Sequence, residues 1–373
     1  MEKHNLWIEV DIEKIRSNII KIKTLVEDTV GVMAIVKANA YGHGMTHIAH
    51  ALADMVNYFG VSTYTEAEIL RTDGILTPIL VLGSILPYEF LSAIDNDLTL
   101  SISDTAYAHE LNSMGKLKNK KVKVHIKVDT GMGRWGFIYK HAYGEIKKVN
   151  RLSFIAIEGI FTHFPIAENN KIDFTERQIE LFKALIDELK KDKVVFSYVH
   201  AANSAGIVNF KHSHFNLVRP GIMMYGYYPH ESLYEKLHVE QAMSIKSRIC
   251  LIKEFQPQRG VSYGRKYITQ KKTKIGIIPI GYSHGYPYAL SQKGIVLIQG
   301  KRYPIAGNVC MDYIMVDLGI DSEITIGDEV VLLGTSGEEE ITAYELAKKA
   351  HTIPYEIISN VSSDIPRIYI NTN

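Results

Sequence analysis

Eight times between residues 33 and 221 a short apolar run ends in polar residues or glycine, and after seven of them the spacing turns helical. The runs are MAIVK (33–37), YFGVS (58–62), ILVLG (79–83), LTLSI (98–102), KVHIKVD (123–129), IAIEGIFTHF (155–164), FSYVHAAN (196–203) and LVRPG (217–221). Most are nearly continuous in apolar character rather than alternating, which is the pattern of strands covered on both faces. Helix punctuation agrees: Gly74 stops TEAEILRTDG, and Asp104 stands at the N-cap of DTAYAHELNSMG. Eight such units predict an α/β fold in the form of a (β/α)8 barrel. An open doubly wound sheet would show a GxGxxG turn after its first strand, and the sequence has none there.

The pattern changes after about residue 238. MSIKSRICLIKEF, KIGIIPIGY, GIVLIQGKRYPIAG, YIMVDLG and EVVLLG read as strands joined by turns such as QPQRG, QKG and IGD, with one helix, ITAYELAKKAHTI, near the end. The expected division is a barrel over 1–237 and a β-rich domain over 238–373. The WIEVD run (strand 5–10) is a candidate to pack with the C-terminal sheet instead of the barrel.

With 373 residues, 46% of them hydrophobic, the chain can bury two cores. Lys+Arg (42) and Asp+Glu (41) nearly cancel, so there is neither a basic footprint for nucleic acid nor a polybasic membrane patch. The charged N-terminus does not read as a signal peptide, and no apolar run nears the roughly 20 residues of a membrane span. Cys250 and Cys310 form no CxxC pair, and the His-x-His of KHSHF lacks a carboxylate or third ligand nearby in sequence, so no metal is expected. A soluble cytoplasmic protein is the expectation.

Barrels of this type place their chemistry at the C-terminal ends of the strands. Those ends carry Lys37, Lys127 with Asp129, His163, His200 with Asn203 and Ser204, and Arg219 before Gly221. Alone, each reads most simply as a capped or solvated polar residue. Together at one rim they read as a site. Lys37 is the candidate nucleophile, because a barrel mouth can lower an amine pKa by desolvation or by neighbouring cations, leaving it free to condense with a carbonyl. Were that carbonyl part of pyridoxal phosphate, a phosphate cradle would be needed. Ser204 at a helix start and the backbone N–H groups of Gly221 and Ile222 supply one, in the loops where barrels commonly hold phosphate.

The motifs VKANAYGHG, KVDTGMGRWG, GIFTHF, HAANSAG, VRPGIMMYG, VSYGRKY, PIGY and NVCMDY, in this order, resemble the alanine racemases, fold-type III pyridoxal phosphate enzymes, over nearly the whole chain. The resemblance implies that Lys37 holds the cofactor and acts as one acid/base. Tyr263 of VSYG would be the other, entering from the second subunit of a head-to-tail homodimer. It further implies that Tyr41, Ser204, Gly221, Ile222 and Tyr355 bind the phosphate, and that Arg219 faces the pyridine nitrogen with support from His163. Arg134, the backbone of Met311, Tyr282 and Tyr355 would contact the amino acid. Lys127 matches a lysine that is carbamylated in some relatives and orients the arginine. Racemisation suits such a pair, since one base removes a proton from one face and another returns it to the other. The implied activity interconverts L- and D-alanine, supplying D-alanine for peptidoglycan.

The sequence departs from the usual pattern where the resemblance places the substrate corridor. His284 and Tyr288 stand where Asp and Arg are common, Asn308 and Tyr313 where Arg or His and Gln are common, and Glu168 where Asp is usual. Asp364 likewise replaces the usual Arg. A serine or broader-specificity racemase would share every catalytic position, while the phenol of Tyr355 near Cβ favours a small side chain. A decarboxylase would want an acidic partner for the ring nitrogen, which Arg219 opposes. A non-catalytic pyridoxal phosphate carrier would lack the β-rich domain and the SYG tyrosine.

Overall fold

The structure, a computed structural model, describes residues 4–168 and 172–372. The first strand in the chain is β1 (Leu6–Asp11). The parallel strands that follow are β2 (Gly31–Ile35), β3 (Tyr58–Val61), β4 (Ile79–Val81), β5 (Thr99–Ile102), β6 (Val122–Asp129), β8 (Ile155–Phe161), β9 (Tyr198–His200) and β10 (Leu217–Val218); a short strand, β7 (Phe137–Ile138), pairs with the end of β6. Their order is β10-β2-β3-β4-β5-β6-β8-β9, every pairing parallel. Two backbone bonds join the end strands, Asn216 N–H to Val199 O (3.3 Å) and Arg219 N–H to Ala202 O (3.0 Å), so the sheet curls into a nearly closed barrel. Residues of β2, β3 and β4 such as Met33, Ala34, Phe59, Leu80 and Val81 are wholly buried, as expected of strands covered on both faces.

Helices lie between the strands and carry the caps read from the sequence. Asp104 accepts from Tyr107 N–H (2.7 Å) at the start of Thr105–Lys118. Gly74, at φ +87°, follows the helix Tyr64–Thr72. That helix opens with a capping box in which Thr63 and Glu66 bond each other's backbone N–H groups.

The β-rich region contains β11 (Met243–Arg248), β12 (Leu251–Phe255), β13 (Gly260–Val261), β14 (Tyr267–Ile268), β15 (Thr273–Ile278), β16 (Ile295–Ile298), β17 (Lys301–Pro304), β18 (Ile314–Asp317), β19 (Glu329–Ser336), β20 (Glu339–Ile341) and β21 (Arg367–Ile370). One sheet runs β17-β16-β19-β11-β1-β21, with β20 paired to β19, and another runs β12-β15-β18. β1 pairs antiparallel with β11 and parallel with β21. The chain divides into two compact units: Arg16–Ala40 with Met45–Val239, which holds the barrel, and Met1–Ile15 with Tyr41–Gly44 and Glu240–Asn373. Among the described residues no helix is long and apolar enough to cross a membrane.

Candidate active site

Lys37 follows the end of β2 and opens an unusual turn. Ala38, Asn39, Ala40 and Tyr41 all have φ of 52–53°. A left-handed run of four non-glycine residues opposes L-chirality at roughly 1–2 kcal/mol per residue, and such strain collects at functional sites. Gly42 continues the positive-φ stretch at φ +84° and Gly44 lies at φ +98°, so the stretch begins four residues before its first glycine. Hydrogen bonds fix it. Ala38 N–H donates to Glu66 Oε1 (2.6 Å), Met45 N–H to Asn39 Oδ1 (2.8 Å), and Ala40 N–H to Val36 O (2.8 Å). Glu66 also receives Ser62 N–H at 2.7 Å, tying the end of β3 to the lysine loop. The Lys37 amine is held below its ordinary pKa by desolvation and then by the Arg134 charge, with Glu66 opposing.

Arg219, just beyond β10, is buried in the barrel with no carboxylate partner among the described residues. Its Nη1 donates to His200 Nδ1 (2.8 Å) and its Nη2 to the carbonyls of Thr162 and Ala201 (2.8 Å each), with His163 Nδ1 at 3.3 Å. Burial lowers its pKa to about 9, and it still holds its proton near neutrality. His163 and His200 are kept neutral, first by burial and next by the Arg219 charge. The His200 ring stacks on Phe161 (4.8 Å, 4°).

Lys127, on β6, lies 5.3 Å from the Phe161 ring and 5.4 Å from the Trp135 ring. Desolvation, then Arg134, Arg219 and Lys37, bring its pKa to about 8. Asp129 is occupied elsewhere: its carboxylate accepts from the N–H groups of Gly131 and Gly133 and shapes the loop that presents exposed Arg134. The donor set is therefore cationic, which fits a ligand carrying a phosphate and a carboxylate.

Asn203 caps the helix Ser204–Asn209, accepting from Gly206 N–H (2.9 Å). Ser204 Oγ accepts from Gly221 N–H (3.0 Å), which leaves its own O–H proton to donate outward. Ile222 opens the 3-10 helix Ile222–Tyr225, where first-turn N–H groups have no intrahelical acceptor. A serine hydroxyl beside a helix-start N–H is chemistry that suits phosphate oxygens.

The second unit holds the remaining candidates. Tyr41 and Tyr355 lie ring to ring at 6.1 Å. Burial raises the Tyr41 pKa, so its phenol stays a neutral donor. Tyr263 is 74% exposed; it sits in a tight turn with Ser262 at φ +65° and Gly264 at φ +70°. Asn308 clamps that turn: its Nδ2 donates to Tyr263 O (3.1 Å), and its carbonyl accepts from Ser262 Oγ (2.8 Å). The Met311 carbonyl accepts from Ser283 N–H (3.0 Å) and Ser283 Oγ (2.8 Å). Tyr282 and Tyr288, 6.3 Å apart, line a groove of about 630 Å³ with Thr352 and Glu356. Glu168, in the barrel unit, accepts from Ala167 N–H (2.8 Å).

The barrel thus brings Lys37, Lys127, His163, His200, Ser204, Arg219, Gly221 and Ile222 together, while Tyr41, Tyr263, Tyr282, Met311 and Tyr355 belong to the β-rich unit. Glu66, Thr162 and His125 join the site through hydrogen bonds that strand-end position does not single out. The capping-box spacing of TYTE signalled Glu66, and the register of KVHIKVD on a barrel strand could have found His125.

Comparison with known proteins gives a consistent answer. The family model "Alanine racemase, N-terminal domain" matches residues 10–229, and "Alanine racemase, C-terminal domain" matches 242–369. An alanine racemase of Halothermothrix orenii is 40% identical over 366 residues, covering 98% of this chain and 97% of the relative. One from Methanococcus maripaludis is 38% identical with full coverage of both chains. Among solved structures, alanine racemase from Clostridium difficile 630 superposes with a TM-score of 0.95 at 36% identity, covering 100% of this chain and 98% of that one. The Bacillus anthracis alanine racemase with bound L-Ala-P gives a TM-score of 0.94 at 35% identity, covering 100% of this chain and 97% of that one. The chain, with its lysine-bearing barrel and β-rich domain, belongs to the alanine racemase family.

Proposed function

We propose that this protein interconverts L- and D-alanine with pyridoxal 5'-phosphate as cofactor. The observation that carries the reading is a depressed-pKa lysine at the start of a left-handed turn, set in a cationic barrel mouth whose buried arginine donates its hydrogen bonds, among the described residues, to imidazole and carbonyl acceptors. The cofactor, when bound, supplies the electron sink that acidifies the alanine Cα–H. The chain supplies the rest. Lys37 would hold the cofactor through its amine and move a proton on one face of Cα. The partner subunit's Tyr263 serves the other face, which fits a tyrosine so exposed on its own chain.

Ser204, Gly221 and Ile222 of the barrel unit would hold the phosphate, and the resemblance assigns Tyr41 and Tyr355 to it as well. Arg219, with His163 at its side, would meet the cofactor's ring nitrogen and, as a standing cation, would disfavour a proton there. The result is a shallower sink that restrains side reactions. Arg134 would bind the amino acid's carboxylate, and the resemblance assigns the Met311 N–H, Tyr282 and Tyr355 to the substrate as well. Lys127, with a pKa of about 8, has enough neutral amine to add carbon dioxide and lose a proton, giving a carbamate that orients Arg134. Exposed Tyr263, Tyr282, Tyr288, Met311 and Tyr313 give the β-rich unit an aromatic face suited to a second copy of the chain. D-alanine made this way would feed peptidoglycan synthesis in the cytoplasm.

The test is the visible absorbance of bound cofactor together with alanine turnover. Both are expected in the unmodified protein and both should vanish in Lys37→Ala. Cofactor-dependent racemisation surviving in Lys37→Ala sinks the reading.

A further inference from the structure

Behind Arg219 the hydrogen-bond chain does not stop at His200. His200 Nε2 lies 2.9 Å from Nδ1 of His125, an inward residue of β6 that is completely buried. The directions of these bonds follow from chemistry alone. A guanidinium only donates, so His200 Nδ1 must be the acceptor of the 2.8 Å bond from Arg219 Nη1. Neutral His200 then carries its proton on Nε2 and donates it to His125 Nδ1, and neutral His125 carries its proton on Nε2. That last N–H has no partner within the structure's described residues. A buried orphan donor is tolerated here while the neighbouring lone pair is fully used, which points to Nδ1 as the working atom.

The barrel is built around this ring. A Cβ on Gly159 would lie 2.7 Å from His125 Cε1 and Nδ1, so glycine at that position makes the room. Tyr198 stacks against the imidazole at 5.8 Å and 27°, and Tyr58 closes another side at 5.6 Å. His200 is meanwhile stacked flat on Phe161. Were the His200 proton on Nδ1 instead, an N–H would confront the Arg219 N–H in a dry interior, a donor against a donor.

We propose that His125 is a positioning residue: by accepting from His200 it fixes that ring in its Nε2–H tautomer, and so keeps a lone pair aimed at Arg219. Only the kinetic part of the test rests on the racemase reading. The direct experiment is long-range 1H–15N NMR on holoenzyme labelled at histidine, with His125→Leu and His125→Asn alongside. The unmodified protein is expected to show both rings as neutral Nε2–H tautomers. His125→Leu should give His200 mixed or reversed protonation, with alanine kcat down about tenfold and KM nearly unchanged. His125→Asn, whose Oδ1 can accept where Nδ1 did, should restore both. A His125 proton found on Nδ1, or a His200 tautomer unmoved by His125→Leu, overturns the proposal. Should the leucine variant fail to fold by circular dichroism, the unmodified and asparagine spectra still decide. Absent alanine turnover in the unmodified protein would defeat the functional reading while leaving the tautomer result to stand.

Discussion

Glu66→Ala removes a carboxylate that ties the lysine loop to its neighbouring strand. Three backbone donors lose their acceptor: Ala38 N–H (2.6 Å), Ser62 N–H (2.7 Å) and Thr63 N–H (3.3 Å). The Ser62 bond is partly buried and, as a bond to a charged acceptor, is worth about 1.5–3 kcal/mol. The bonds to Ala38 and Thr63 are exposed, so water replaces them and each adds only a few tenths, roughly. The loss therefore comes to about 2–3 kcal/mol, which for a unit of this size lowers Tm by about 5–10 °C. Release should also be local. The left-handed turn over Ala38–Tyr41 is strained by roughly 1–2 kcal/mol per residue, so freeing Ala38 lets it relax. Thermal unfolding by circular dichroism reads the first effect, and hydrogen exchange across residues 36–44 reads the second. Glu66→Gln, which keeps a neutral acceptor, should recover about half of the loss. A Tm within about 1 °C of the parent, with unchanged exchange in the loop, would refute the claim that Glu66 holds the turn.

Further expectations follow from the barrel interior. Arg219→Lys keeps the charge but loses the fork that reaches His200, Thr162 and Ala201, so urea unfolding should show a loss of about 2–3 kcal/mol. Gly159→Ala drives a methyl to within 2.8 Å of the His125 ring and should cost about 1–3 kcal/mol by overpacking; an equally stable variant would mean that the ring has room to move. His125, His163 and His200 all have folded pKa values below the unfolded 6.5, that of His125 at about 3. The unfolded chain binds more protons below that point, so their contribution is complete above pH 6.5 and is lost as pH falls. Denaturant unfolding should show stability declining by up to about 1.4 kcal/mol per pH unit for each histidine; a flat profile from pH 7 to 5 would contradict the neutral assignment.

The strands of the barrel were legible because burial on both faces leaves a run of apolar residues that few other structures need. The rim lysine, histidines and arginine were legible because strand ends are predictable once the barrel is. The left-handed turn was not: Ala38, Ala40 and Tyr41 have no propensity for it, and hydrogen bonds such as those to Glu66 and from Met45 hold it there. MSIKSRICLIKEF reads as one strand, yet the chain leaves one sheet after Arg248 and joins another at Leu251. Its apolar run continues through the break, where Cys250 N–H turns to Ile277 O. From its place in the family pattern Asn308 reads as a corridor residue, and its hydrogen bonds to the Tyr263 turn give it a backbone role that a sequence cannot display.

The most direct test of the account is turnover of L-alanine and of D-alanine, each in deuterated water with holoenzyme, followed by chirality and by deuterium at Cα. Two bases on opposite faces predict inversion from either enantiomer with deuterium in the product, and Tyr263→Phe should abolish inversion in both directions. Full inversion in Tyr263→Phe, or no change of chirality in the unmodified enzyme, would contradict it.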